Sequence, residues 1–279
     1  MPERPLLCLG EAWVELTAET APELAEVFRA GPGGWAAEFC LKYAAQGGHA
    51  VLLSQLGADP FGRKLAAYLA AHDVDCSGLA FTEMARTPVV FSGTEGEPVV
   101  FRNPSAELLY APEQLETAIF REAFGFCFSS ACLLDAPIRM THLKAIAAAR
   151  TGGALVCYAP RMAQAAPFWP DEGALRETAQ LFFPQADVLL LEKRDLQQLL
   201  EEEELRPALF SLFTGHVQLI FYAAEEKCMV LTRNAMAGSA QSGLTGAEFL
   251  HRLQQLQISR DELPRLSRRQ LEALLGKTV

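Results

Sequence analysis

GPGGWAAEFCLKYAAQGGHAVLLSQLGADPFGRKLAAYLAAHDVDCSGL, residues 31–79, sets out the architecture of the chain in one run. The Gly33-Gly34 turn opens a segment whose residues 38–46 repeat apolar positions at helical spacing, and Gly47-Gly48 ends it. Residues 51–55 form a short apolar run that reads as a buried strand, and residues 61–72 read as an amphipathic helix. The same alternation continues on both sides. Upstream, residues 6–9 read as a buried strand closed by Gly10. Downstream, strands are expected at 126–129, 154–158, 188–191 and 217–222, with helices at 140–150, 172–182 and 194–203. Strand and helix in strict alternation predict an α/β fold: a mainly parallel sheet with right-handed crossovers and helices on both faces.

One region departs from that rhythm. Residues 87–103, TPVVFSGTEGEPVVFRN, hold two β-rich runs joined by Gly93-Thr94-Glu95-Gly96-Glu97, the pattern of a hairpin. Together with residues 12–17 it can form a small second sheet, either a lid over a cleft or an edge hairpin without a role. No linker and no internal repeat divides residues 1–279, which read as a single domain. The charge run 201–204 reads as a solvated helix end.

Half of the residues are apolar and 21% are charged, which excludes a disordered chain. The formal net charge of −10, with no Lys/Arg stripe to offset it, argues against nucleic acid as a partner. Sugars and other small molecules remain. Cys8, Cys40, Cys76, Cys127, Cys132, Cys157 and Cys228 contain no CxxC pair, so they read as small core residues of a reducing compartment. His49, His72, His142, His216 and His251 show no metal-ligand spacing. The first residues carry Glu3 and Glu11 around a short apolar run, unlike a signal peptide, and no stretch has the length of a membrane helix. The expectation is a cytoplasmic protein without a membrane partner.

Residues 31–79 resemble the first signature of the ribokinase (PfkB) family of carbohydrate kinases, with Gly57-Ala58-Asp59-Pro60-Phe61-Gly62 in the place of its GxDxFG element. ARTPVVFS (85–92), FRNPSAELLYAPEQL (101–115), HLKAIAAARTGGALVCYAP (142–160), FWPDEGALRE and ADVLLLEKRDLQQLL resemble fructokinases in particular. The likeness covers about residues 5–200 and weakens beyond them. It implies a three-layer α/β/α sandwich with a β lid formed by about 12–17 and 87–103. It also implies transfer of the γ-phosphoryl group of ATP, with Mg, to a sugar hydroxyl. An aspartate at a GAGD-type helix start would take the hydroxyl proton, and backbone N–H groups there would hold phosphate.

Carried across one residue at a time, the resemblance meets departures. The sugar-binding aspartate of the early strand corresponds to Glu15, and the sugar-contacting asparagine of the following helix to Glu38. The DPNxR stretch reads Ala159-Pro160-Arg161-Met162-Ala163, and the magnesium-linked NxxE motif reads Glu192-Lys193-Arg194-Asp195. The turn expected after residues 217–222 reads Ala223-Ala224-Glu225-Glu226-Lys227 and holds no glycine. The phosphate loop corresponds to Ser242-Gly243-Leu244-Thr245-Gly246-Ala247-Glu248-Phe249, with Gly246 or Ala247 at the aspartate position. The adenine-flanking helix expected next has no counterpart before residues 266–275.

The sugar cleft is therefore expected to involve Glu15, Gly33, Gly34, Glu38, Arg102 and Arg161. The phosphate-loop remnant would be Gly243, Thr245, Gly246 and Ala247, and Glu192 and Asp195 the remaining metal candidates. Gly33-Gly34 serves either a ligand's approach or a tight turn. Arg102 either reaches over the cleft or is a solvated hairpin residue. Arg161 is expected to pair with Glu15 or Glu38 in the old sugar pocket. Trp35 is expected to pack, and Glu248 to face solvent in its helix's first turn. The reading is a fructokinase-like homologue with impaired or absent catalysis, in which ATP and Mg belong to the family more than to this chain. The alternatives are an active sugar kinase with rearranged residues, or a structural or regulatory homodimer subunit built on the lid.

Overall fold

The computed structural model describes residues 4–102, 104–200, 204–240 and 243–276. From the first strand, β1 (Leu6–Leu9), the chain turns into β2 (Trp13–Thr17), β3 (Arg29–Gly33), α1 (Trp35–Ala44), β4 (Ala50–Gly57) and α2 (Pro60–Ala71). Four short strands follow: β5 (Val74–Asp75), β6 (Leu79–Thr82), β7 (Val89–Ser92) and β8 (Val99–Phe101). Next come β9 (Gly125–Ser129), α3 (Pro137–Gly152), β10 (Leu155–Ala159), α4 (Met162–Ala165), α5 (Glu172–Phe182) and β11 (Val188–Glu192). The C-terminal third holds α6 (Lys193–Leu199), α7 (Leu205–Ser211), β12 (Leu219–Ala224), β13 (Lys227–Leu231), β14 (Met236–Ser239), α8 (Gly246–Gln255) and α9 (Arg268–Leu274).

The main sheet runs β14-β13-β12-β11-β10-β9-β1-β4-β5, with β6 also on β4. It is parallel from β5 to β12, and only β13 and β14 add on antiparallel. Alternate side chains of its strands feed two cores, as the two-residue period of a strand requires. Leu7, Phe126, Val156 and Leu189 meet α3 and α5 on one face. Leu6, Cys127, Leu155 and Val188 meet α1, α2, α8 and α9 on the other. Strands buried on both faces read as continuous apolar runs, which is why their positions were legible. The result is the expected ribokinase-like three-layer α/β/α arrangement.

A second, four-stranded sheet stands apart, in the order β3-β2-β7-β8. The hairpin and the early strand expected for it are there. No local pattern announces β3, because RAGPG lacks the β-branched and aromatic residues that mark a strand. Strands β13 and β14 are likewise additions to the expected pattern. The helix expected over 194–203 instead ends at Leu199, where Leu200 turns extended. Asn103 and residues 201–203 of the charge run lie outside the described residues. Six of the seven cysteines are buried and Cys76 is half-buried, all of them free thiols, in keeping with the core reading.

Candidate functional site

In a parallel sheet, ligands enter at the carboxyl ends of the strands, where the chain leaves for the crossovers. Here that edge carries Glu11 after β1, Ser129 closing β9, Arg161 after β10 and Glu192 closing β11. Glu11 and Ser129 are the most deeply placed of the four, and the motifs of the sequence do not mark Glu11 as a site residue. Glu11 is 1% exposed and accepts from the backbone N–H of Trp35 at 3.1 Å and from the Ser129 hydroxyl at 3.2 Å. Burial pushes its carboxyl above the usual range, against the pull of the Arg102 guanidinium. The signal that could have found it is a carboxylate directly after a buried strand and its closing glycine.

The solvated reading is corrected for Arg102. It is buried, not solvated, and its guanidinium is spent inside the protein. Nε donates to Glu107 Oε1 at 2.7 Å, one terminal nitrogen to the Ala131 carbonyl at 2.8 Å, and the other lies 3.0 Å from Cys132 Sγ. The cation also stacks 4.5 Å over the Phe168 ring. Glu107, likewise buried, accepts from the Ser105 hydroxyl as well. The ion pair ties the end of β8 to the short turn at Glu107, and the bonds to Ala131 and Cys132 tie it to the segment after β9.

Arg161 stands just past the end of β10, in a left-handed backbone position (φ 52°). Its expected partners are corrected, however. It pairs with Glu192 and donates from Nε to Gln164 at 2.6 Å. Glu192 wins by topology, because neighbouring β10 and β11 end side by side in the parallel sheet. Burial pulls the Arg161 guanidinium below its ordinary value, and the fields of Asp195, Glu38 and Glu11 oppose that pull. Glu38 lies exposed on α1, within 3.5 Å of Lys42 one turn on. Glu15 on β2 accepts from the Trp13 indole N–H at 2.6 Å. Gly33 and Gly34 answer a packing demand. A Cβ at Gly33 would fall 2.2 Å from Trp13 Nε1, and one at Gly34 (φ 94°) would fall 2.5 Å from the Glu11 carbonyl. Trp35 packs on Phe39, ring centroids 4.8 Å apart.

Glu192 and Asp195 are both engaged by other groups of the protein. Asp195 is buried and spends its oxygens on the backbone N–H groups of Met162 at 2.8 Å and Glu192 at 2.7 Å. Burial raises its carboxyl to about 6. Its role is to cap α6 and tie it to α4. Glu192 is held in turn by Arg161, and no group of three metal-donating side chains occurs among the described residues.

Beyond Glu192 opens a cavity of about 590 Å³ between the ends of β11 and β12 and the start of α8. Phe39, Leu190 and Phe221 contribute apolar walls, and Lys42, Lys193, Arg194 and Glu225 contribute charge. Gly243, Thr245, Gly246 and Ala247 all line it, so the structure gathers the expected loop remnant in one place. Ser242 lies outside the described residues. Glu248 stands half-buried in the first turn of α8, where it was expected. Its carboxylate turns back to accept from the Thr245 N–H at 2.8 Å and hydroxyl at 3.0 Å, while Thr245 Oγ1 accepts from the Glu248 N–H at 3.2 Å. This capping box supplies the helix start with its own anion. The turn Glu225-Glu226 joins β12 to β13 as a tight antiparallel hairpin.

Comparison with known proteins accords with this arrangement. A family model described as pfkB family carbohydrate kinase matches residues 4–243. The chain is 32% identical over 212 residues to probable fructokinase-3 of Arabidopsis thaliana, covering 74% of this chain and 61% of that protein. It is 34% identical over 199 residues to fructokinase-1 of Zea mays, covering 69% and 61%. It thus spans about three-fifths of the length of these curated relatives. The crystal structure of fructokinase from Xylella fastidiosa aligns with a TM-score of 0.84 at 23% identity, over 98% of this chain and 90% of that one. A structure of that fructokinase with bound ATP aligns equally well. At such identity the solved structures establish the fold. The family match reaches further, because it spans both sheets and the crevice-edge residues Glu11, Ser129, Arg161 and Glu192: this protein belongs to the pfkB family of carbohydrate kinases.

Proposed function

We propose that this chain is a fructokinase-like homologue that has lost phosphoryl transfer and keeps its scaffold for binding, regulation or assembly. One observation carries the reading. The start of α8 presents Gly246 and Ala247, which cannot accept a proton, and the carboxylate that follows them, on Glu248, is bound back onto Thr245. A positioned general base contributes about 10²- to 10⁴-fold in rate, and lost oxyanion-type donors about another 10²- to 10³-fold. Either loss alone would leave a poor kinase. The metal candidates, held by Arg161 and by backbone N–H groups, point the same way. In this reading the second sheet is the lid of the crevice, and the buried free thiols suit the cytoplasm.

The test is ADP release from ATP and fructose with Mg²⁺, followed by a coupled assay. Turnover no higher than that of heat-inactivated protein is expected. Turnover above it would overturn the proposal in favour of an active kinase with rearranged residues. Calorimetry with Mg–ATP then reports separately whether the cavity beside α8 retains a nucleotide.

A second reading, a homodimer through the lid, is favoured by apolar side chains left in water on and beside that sheet. Phe101 is 64% and Val99 42% exposed on β8, with Phe61 and Phe81 half in water on neighbouring elements.

A further inference from the structure

Trp13 lies four residues beyond the end of β1, at the carboxyl edge of the parallel sheet where a ligand would enter. It is nonetheless 8% exposed, because the second sheet folds it inward. Its indole lies against Gly33, its register partner on β3, so closely that a Cβ there would collide with Nε1. The ring N–H donates to Glu15 at 2.6 Å. The Phe168 ring sits 5.1 Å away at a tilt of 51°, and the Arg102 guanidinium lies 5.8 Å from the indole centroid. A glycine backbone, a carboxylate, an aromatic face and a cation thus surround one side chain of the protein's own.

We infer that the Trp13 indole is a built-in occupant of the crevice between the two sheets, and that it excludes a polyhydroxylated, ring-sized small molecule which the same walls would otherwise hold. The inference rests on the sugar-kinase ancestry proposed above, and it adds the cause of exclusion on the substrate side. The chemistry of the walls sets the ligand class. Glu15 is an acceptor that a hydroxyl satisfies as the indole N–H does, and the Phe168 face suits the C–H side of a saturated ring. An apolar ring would leave the half-buried Glu15 carboxylate facing it without a donor, which costs binding.

Calorimetric titration with D-fructose of the wild type and of Trp13→Leu and Trp13→Phe tests this. Both variants keep an apolar filler and remove the indole N–H and part of its area; thermal unfolding shows which of them folds. The expected result is binding by a folded variant at least about tenfold tighter than by the wild type, lost again when Glu15→Gln is added. Wild-type binding equal to the variant's would overturn the inference. So would absence of binding in both, or uptake of free indole but not fructose by the variant. If neither variant folds, wild-type binding of fructose with unchanged tryptophan emission overturns it, and no wild-type binding below the concentration at which Glu15→Gln also binds supports it. The coupled assay separates the two proposals. ADP release by a fructose-binding variant would sink the loss of phosphoryl transfer and leave the exclusion standing, whereas no binding and no turnover would do the reverse.

Discussion

His142 sits wholly buried on α3, edge-on to Phe128, with Nδ1 2.8 Å from the Ile138 carbonyl. Burial lowers its pKa to about 4, against the raising effect of the Ile138 and Leu9 backbone. The folded protein therefore holds it neutral while the unfolded chain protonates it below about 6.5. Its contribution is complete above that pH and is lost as pH falls toward 4, at about 1.4 kcal/mol per pH unit. Asp195 has the opposite sign, because its raised carboxyl holds a proton in the folded state up to about pH 6. The measurement is accordingly a difference. Urea unfolding at neutral and mildly acidic pH should show a larger acid loss for the wild type than for His142→Gln. Gly34 provides a second residue-scale prediction. Its positive φ and the 2.5 Å approach to the Glu11 carbonyl leave no room for a methyl group. Gly34→Ala should cost about 2 kcal/mol or more in denaturant unfolding.

Among the elements, capping carboxylates do much of the positioning, and they differ in how readily sequence reveals them. Asp59 accepts from the Gly62 N–H at 2.9 Å to start α2, a role legible in Asp-Pro at a helix start. Its other oxygen accepts from the Thr87 N–H at 2.8 Å, fastening α2 to the approach of β7. That bond spans 28 residues, so no local pattern foretells it. Asp59→Ala should lose about 2–3 kcal/mol, a cap plus a charge-assisted bond, in thermal or denaturant unfolding. Glu248→Ala should cost only about 1 kcal/mol, since the Thr245 hydroxyl still caps α8. A loss as large as that of Asp59→Ala would mean that Glu248 does more than complete the box.

For the molecule as a whole, the proposed dimer is governed by an apolar sheet edge against a net charge of −10 per chain. Light scattering after size exclusion should show a dimer that strengthens with salt, as screening weakens repulsion between like-charged copies. Phe101→Glu should turn it monomeric, and a monomer throughout the wild-type concentration range would remove that reading. By itself the sequence determined the parallel sheet and its flanking helices, because strands buried on both faces and amphipathic helices write their burial into local periodicity. It also determined that no acid stands at the first two residues of α8. Only the tertiary structure decided where the charges of the crevice went: Arg161 to Glu192, Arg102 to Glu107, Glu248 to Thr245 and Glu15 to Trp13. An ion pair or hydrogen bond depends on which chain ends the sheet brings together in space, and one residue carries several candidate partners until the fold leaves a single one within reach.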